Sequence, residues 1–255
     1  MVANYHTHTA RCRHAYGTER EYVEKAIARG LKILGFSDHT PQWFPGDYYS
    51  NMRIFPEELD DYCNTIRTLQ KEYKGQIDLL LGLEVEYYPA TWQNLLPRLQ
   101  DAGIEYMILG QHNTGNEYDT PHNTIETDDV SLLTTYCDQV ITAMETGRFT
   151  YFAHPDFINF VGDHKTYETQ MGRICKASLE TDTPLEINFN GIRFQRFYPN
   201  PIFWRLAAEA GCKVVFGYDA HCPDDVMDKA SESIALSMVK DLGLNLQQTV
   251  PLKSI

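Results

Sequence analysis

Short apolar runs alternate along the whole chain with amphipathic stretches of helical length. Seven runs have the composition of buried strands, at residues 2–6, 33–37, 78–87, 106–110, 150–154, 184–188 and 213–219. Stretches with helical periodicity separate and follow them, at 18–29, 56–73, 91–102, 128–146, 166–181, 200–210 and 224–242. This regular alternation predicts seven βα units and a parallel sheet.

The ends of the predicted helices carry recognisable signals. Thr18 and Glu21 form a capping box at the start of the first helix. Glycines end four of the helices, at Gly30, Gly103, Gly147 and Gly211. A doubly wound sheet also fits this rhythm, but we favour an α/β fold with a TIM-like barrel of seven βα units, a relative of the eight-unit form. We expect one domain over residues 1–255, because no linker or change of composition interrupts the series.

Composition narrows the possible partners. The chain of 255 residues has 22 Lys and Arg against 35 Asp and Glu, a formal net charge of -13. This balance argues against nucleic acid and anionic membranes as partners. We expect no signal peptide and no membrane span, because the start MVANYHTHTA is polar and no apolar run reaches about 18 residues. Six cysteines without a CxxC pair favour a cytoplasmic protein with reduced thiols. The oligomeric state is left open.

Nine potential metal ligands lie at, or just beyond, the predicted strand ends. They are His6, His8, His14, His39, Glu84, His112, His154, Asp219 and His221. Residues i and i+2 of a strand point to the same side, so the His6–His8 and Asp219–His221 pairs can each aim two ligands into one cavity. A single histidine of this kind is weak evidence, but six of seven strand ends and one loop share the pattern. His122 and His164 fall outside it. The set predicts a metal site at the C-terminal face of a barrel.

Several of these segments together resemble a known family. HTHT at 6–9, GFSDHTP at 35–41, GLEVEY at 82–87, AHPD at 153–156 and GYDAH at 217–221 resemble the polymerase-and-histidinol-phosphatase (PHP) superfamily. HTHTARCRHAYGT and EINFNGIR are similar to its histidinol-phosphatase branch. The resemblance covers essentially the whole chain and implies a distorted (β/α)7 barrel with divalent metals at its C-terminal face.

The resemblance also implies a ligand set for up to three ions. His6, His8, Glu84 and Asp219 would hold the first. Glu84, His112 and His154 would hold the second, with Glu84 bridging, and His14, His39 and His221 would hold the third. Two to three divalent ions are therefore expected. The nitrogen-rich donors favour Zn, Fe or Mn over Mg or Ca.

Such a positive centre in an acidic protein suits a small phosphorylated substrate. The metals would clamp the phosphate and lower the pKa of a bridging water, so that a metal-bridging hydroxide attacks. The resemblance implies hydrolysis of L-histidinol phosphate to L-histidinol and phosphate, a step of histidine biosynthesis. Glu84, Asp219 and His221 are the candidate catalytic residues. A metal-bound water, Asp219 or His221 would protonate the leaving alkoxide.

Other residues are candidates for contacts around the metals. Arg193 is expected to hold the phosphate, with Arg196 and Arg13 as weaker alternatives. Trp43 and Tyr48, in the aromatic segment 39–55, are expected to stack on a substrate ring. Glu86 would receive a substrate ammonium or pair with a neighbouring cation. Two acidic residues next to ligands, Asp38 and Asp156, would either orient metal-bound imidazoles or cap the following turns.

Three other functions compete with this interpretation. The first is a related phosphoesterase that acts on a nucleotide or another small ester. The second is an amidohydrolase, whose barrel also starts with an HxH strand, although no strand end here offers the lysine typical of that family. The third is a metal-binding regulatory protein without catalysis, which the complete ligand set disfavours.

Overall fold

The computed structural model describes all residues, Met1–Ile255, and contains the predicted series of strands and helices. The strands are β1 Ala3–Asn4, β2 Ile33–His39, β3 Asp78–Val85, β4 Tyr106–Leu109, β5 Phe149–Phe152, β6 Leu185–Asn188, β7 Lys213–Gly217 and β8 Asn245–Leu246. The helices are α1 Glu19–Arg29, α2 Leu59–Glu72, α3 Pro89–Asp101, α4 Val130–Glu145, α5 His164–Glu180, α6 Phe189–Arg193, α7 Pro201–Ala210 and α8 Lys229–Leu242. Short 3-10 turns lie at Ala10–Cys12, Pro56–Glu58 and Pro223–Met227.

All eight strands are parallel and follow chain order in one sheet. At the C-terminal rim, Thr7 forms a parallel bridge with Ala220, so the segment after β1 meets the segment after β7. At the opposite end, β8 pairs with the start of β7. Seven strands therefore close at the rim, and the (β/α)7 prediction is confirmed. The two-residue strand β8 was not among the predicted strands.

The inside of the barrel is filled by tyrosines. Tyr106 from β4 crosses it, and its hydroxyl donates to the carbonyl oxygens of Tyr5 at 2.7 Å and Phe36 at 3.1 Å. Gly82 leaves room for this ring, since a Cβ there would lie 2.2 Å from the ring atom Cε1. A larger apolar core lies between the strands and the surrounding helices. The interior below the rim is thus solidly packed, as expected of a small barrel.

Two local predictions had different outcomes. The capping box of α1 is present, with Thr18 and Glu21 bonded to each other's backbone amides. The segment 189–199 lies outside the predicted helices, yet it begins with α6, where the Asn188 side chain accepts a hydrogen bond from the Gly191 amide. One turn of helix is too short to show a hydrophobic period. None of the helices has the length and apolar character needed to span a membrane.

Candidate active site

The strand ends bring the nine predicted ligands to one rim. Three imidazoles come from the first βα segment, His39 ends β2, and the other ligands follow β4, β5 and β7, while Glu84 lies inside β3. Donor atoms come within 4.8 Å of one another in several groups: His6 with His8 and Asp219, His6 with Glu84 and His154, His8 with His39 and Glu84, and His14 with His39 and His221.

Glu84 lies at the centre of this cluster and is fully buried. Its Oε1 is 2.8 Å from His154 Nε2 and 3.5 Å from His112 Nε2. Its Oε2 is 3.0 Å from His39 Nδ1 and 3.6 Å from the Nε2 atoms of both His6 and His8. One carboxylate therefore faces five imidazoles, which is the arrangement that a bridging ligand requires.

Hydrogen bonds within the cluster leave several lone pairs facing each other. His14 Nδ1 is 2.8 Å from the Cys12 carbonyl and His221 Nδ1 is 3.2 Å from the Asp219 carbonyl, which assigns the proton to Nδ1 in each ring. The two Nε2 atoms then lie 3.0 Å apart with lone pairs directed at each other. Buried Glu84 Oε2 and Asp219 Oδ1 accept no hydrogen bond at all. Divalent cations among these donors would satisfy the free lone pairs, so the residues fit metal ions.

Electrostatics within the protein favour the carboxylate forms. Burial alone would raise the pKa of Glu84, but the imidazoles of His112, His6 and His39 hold that pKa well below its usual value. Burial lowers the pKa of His221 to about 3, so this ring is neutral near pH 7. Ionised Glu84 and neutral His221 are in the protonation states that bind metal. Against the effect of burial, the neighbouring carboxylates instead raise the pKa values of His6, His8 and His112, which would release protons when a metal ion binds.

The backbone is strained at two of these positions. His154 has φ of 33° and Asp219 has φ of 46°, in the left-handed region that residues with a side chain rarely adopt. Strain of this kind persists where the surrounding structure holds a functional side chain in place. Nearby, Gly110 leaves space for the Glu84 carboxylate, which a Cβ would contact at 2.0 Å.

Sequence analysis missed the buried Glu186, on β6. Its Oε1 is 2.8 Å from His6 Nδ1, and its Oε2 accepts the His154 amide at 3.1 Å. It thereby fixes the ring of one predicted ligand and the backbone of another. A charged residue inside the apolar run PLEIN was the available signal, since a buried strand carries a carboxylate only when that group has partners.

The two acidic neighbours of ligands have different surroundings. Asp38 accepts the Thr9 amide at 3.1 Å, and its other oxygen lies 3.5 Å from His8 Nδ1. Asp156 instead accepts the Asn200 amide at 2.5 Å and the Trp204 indole at 3.1 Å. Asp38 thus faces a ligand ring, whereas Asp156 holds the segment that enters α7.

A cavity of about 560 Å³ opens beside the cluster. Its wall includes seven of the nine predicted metal ligands and Glu86, together with side chains from the four segments that follow β2, β4, β5 and β6. The loop residues are Tyr48, Asn51, Met52, Arg53, Asn113, Glu117, Thr120, His122, Phe157, Asn190, Phe194, Arg196 and Tyr198. His122, which was outside the predicted pattern, stacks on His112 with ring centres 5.9 Å apart.

Two of the predicted substrate-binding residues do not line the cavity. Arg193 does not line the cavity; its Nε donates to Asp228 at 2.9 Å, and Nη2 donates to the Tyr218 carbonyl at 3.1 Å. Trp43 lies outside as well, because its ring packs against the Arg98 guanidinium, 4.5 Å away. Arg193 and Trp43 therefore lie outside this cavity, and their substrate contacts stay predictions. The positions of both side chains depend on their partners in irregular loops. Hydrophobic periodicity does not reveal such partners.

Glu86 takes the second of its two predicted roles. It pairs with Arg53 at 2.9 and 3.0 Å and lies 2.9 Å from His112 Nδ1. Burial alone would raise the pKa of Glu86, but the Arg53 guanidinium and His112 together hold that pKa below its usual value. Glu86 is therefore ionised and already paired with a cation of the protein.

Fold and rim together define an α/β barrel with a nitrogen-rich site suited to several divalent ions. A family model described as the PHP domain matches residues 4–190. A probable histidinol-phosphatase of Deinococcus radiodurans is 31% identical over 244 residues, covering 93% of this chain and 92% of that protein. The histidinol-phosphatase of Bacillus subtilis is 23% identical and covers 87% of this chain and 94% of its own length. The chain belongs to the PHP domain family.

A solved structure agrees with this fold. The histidinol phosphate phosphatase of Lactococcus lactis subsp. lactis, crystallised with zinc, L-histidinol and phosphate, matches with a TM-score of 0.74 at 21% identity. The match covers 98% of this chain and 96% of that one. It confirms the barrel architecture.

Proposed function

We propose that this protein is a metal-dependent phosphomonoesterase that hydrolyses L-histidinol phosphate in the cytoplasm. The observation that carries the proposal is the cluster of unpartnered buried donors at the wall of a cavity large enough for a small molecule. Membership of the PHP family and the relatives called histidinol-phosphatase support the choice of reaction and substrate.

The proposed ligand groups follow the donor geometry. His6, His8, Glu84 and Asp219 would hold one ion, and Glu84 would share a second ion with His112 and His154. His14, His39 and His221 would hold a third. Bound divalent ions supply Lewis acidity and lower the pKa of water enough to provide a nucleophile near neutral pH.

The protein's own residues would bind and orient the substrate. Arg196 lines the cavity, its guanidinium is 5.7 Å from the Phe194 ring, and no carboxylate pairs with it. It is therefore available to bind phosphate, in the role that was predicted for Arg193. Asp219 and His221 also line the cavity, which keeps both as candidates to protonate the leaving alkoxide.

A comparison of three substrates tests the proposal. Phosphate release by protein loaded with Mn²⁺ or Zn²⁺ is measured from L-histidinol phosphate, a mononucleotide and an aryl phosphate, with His8→Ala as the control. We expect kcat/KM for L-histidinol phosphate to exceed the others by at least about 10²-fold, or about 2.7 kcal/mol. Faster turnover of the mononucleotide would support the alternative phosphoesterase. Binding without any turnover would support a regulatory protein.

A further inference from the structure

Arg53 lies in the wall of the cavity, yet its guanidinium has no donor left for a substrate. Nη1 donates to the Thr40 carbonyl at 2.8 Å and to Glu86 Oε2 at 2.9 Å. Nη2 donates to Glu86 Oε1 at 3.0 Å and to Glu117, and Nε donates to the same Glu117 oxygen at 2.9 Å. All five N–H groups of the guanidinium are used. Arg53 is also 96% buried, so solvent does not compete for these hydrogen bonds.

One side of Arg53 leads to a predicted metal ligand. The Arg53 guanidinium donates hydrogen bonds to both carboxylate oxygens of Glu86, and Glu86 Oε1 lies 2.9 Å from His112 Nδ1. That contact places the His112 proton on Nδ1 and leaves Nε2, 3.5 Å from Glu84, free to bind a cation. A carboxylate behind a metal-bound imidazole orients the ring and increases its basicity. Here that carboxylate is itself held at two points by one arginine.

The other side of Arg53 leads to the substrate loops. Glu117 also accepts a hydrogen bond from the Tyr48 hydroxyl at 3.0 Å. The rings of Tyr48 and Tyr118 pack with their centres 6.0 Å apart and their planes tilted by 56°, which joins segments 40–55 and 112–122. Arg53 therefore connects two loops of the cavity wall to the rim of the barrel through its contacts with two carboxylates.

We propose that Arg53 is a positioning residue that fixes Glu86 and, through it, the orientation and tautomer of His112. The proposal rests on the proposed function, because it concerns the ion shared by Glu84, His112 and His154. It assigns to Arg53 no contact with the reacting atoms.

Zinc titration of the metal-free protein against a chromogenic chelator tests the proposal without using activity. We expect Arg53→Ala to weaken one class of zinc site by about 10- to 100-fold and to leave the other classes near their wild-type affinity. Arg98→Ala is the matched control, because Arg98 only stacks on Trp43. Guanidinium ion, which can enter the space left beside the cavity, should restore zinc affinity in Arg53→Ala, whereas sodium chloride at equal ionic strength should not.

A double-mutant cycle separates positioning from simple loop anchoring. If Arg53 acts through Glu86, the variant Arg53→Ala/Glu86→Gln will bind zinc no more weakly than Glu86→Gln alone. Arg53→Lys, which keeps the charge but not the fork, covers the case in which Arg53→Ala does not fold, and should bind zinc with intermediate affinity. A lower Tm with wild-type zinc affinity in both Arg53 variants would overturn the proposal. Failure of the wild-type chain to bind zinc would refute the proposed function instead.

Discussion

Buried polar atoms have hydrogen-bond partners at one end of the barrel interior and lack them at the other. Towards the floor, the Tyr106 hydroxyl donates to two carbonyl oxygens and the Tyr5 hydroxyl accepts the Val250 amide at 3.3 Å. At the rim, His8 Nδ1, Glu84 Oε2, His154 Nδ1 and Asp219 Oδ1 are buried without a partner. Buried polar groups are normally satisfied within the protein. The contrast indicates that the floor maintains the fold, whereas the rim is arranged for ions supplied from outside.

The strongest test of this contrast is Glu84→Gln at the rim. The amide cannot bridge cations as a carboxylate does, so we expect phosphate release to fall by at least about 10³-fold. The metal-free variant should be less stable than the metal-free wild type near pH 7, because the imidazoles that hold the pKa of Glu84 down stabilise its ionised carboxylate in the folded state. Phosphate assays and thermal unfolding of both proteins check this, with Glu72→Gln on the surface as control. Activity above a tenth of the wild type would contradict a bridging role.

Next in size is the effect of Glu186→Gln, which removes the negative charge behind His6. We expect zinc affinity to fall by about 10- to 100-fold, because the carboxylate no longer fixes that imidazole. Chelator competition measures the change, and Glu180→Gln on the exposed face of α5 serves as control. Unchanged zinc affinity would limit Glu186 to a structural role.

The two arginines of segment 189–199 give a smaller and more selective test. Arg196→Ala should raise KM for L-histidinol phosphate and lower kcat/KM by about 30-fold, the loss of one charged hydrogen bond of about 2 kcal/mol. Arg193→Ala should mainly lower Tm, because it leaves Asp228 without its partner. Steady-state kinetics and thermal unfolding of both variants distinguish the two roles. A higher KM for Arg193→Ala, with only a lower Tm for Arg196→Ala, would instead support phosphate binding by Arg193.

The smallest effect is expected at the floor. Tyr106→Phe removes a hydroxyl that donates to two backbone carbonyls, and should cost about 1–2 kcal/mol of unfolding free energy. The kcat/KM of the metal-loaded enzyme should not change, since the hydroxyl is part of the packed interior. Urea unfolding and phosphate assays measure the two quantities. A large loss of activity without loss of stability would show that the floor also serves the chemistry.

The sequence predicted the rim far better than the loops around it. Strand periodicity and parallel order decide where His6, His8 and Glu84 point, and both can be read from the apolar runs. Glu186 was detectable in principle as a charge within a buried strand. Arg53 was not, and Arg196 was predicted only as a weaker alternative to Arg193, because their positions depend on how irregular loops fold over the rim and on which carboxylates they meet. The absence of Arg193 and Trp43 from the cavity wall has the same cause.

The most direct test of the account is to follow activity while divalent ions are returned to the metal-free protein. Bound Zn²⁺ or Mn²⁺ per chain is measured together with phosphate release from L-histidinol phosphate, for the wild type and Glu84→Gln. We expect the metal-free wild type to be inactive and its activity to appear only when at least two ions are bound per chain. Glu84→Gln should not regain activity when the ions are returned. Phosphate release that is independent of bound metal, or metal binding without any hydrolysis, would contradict it.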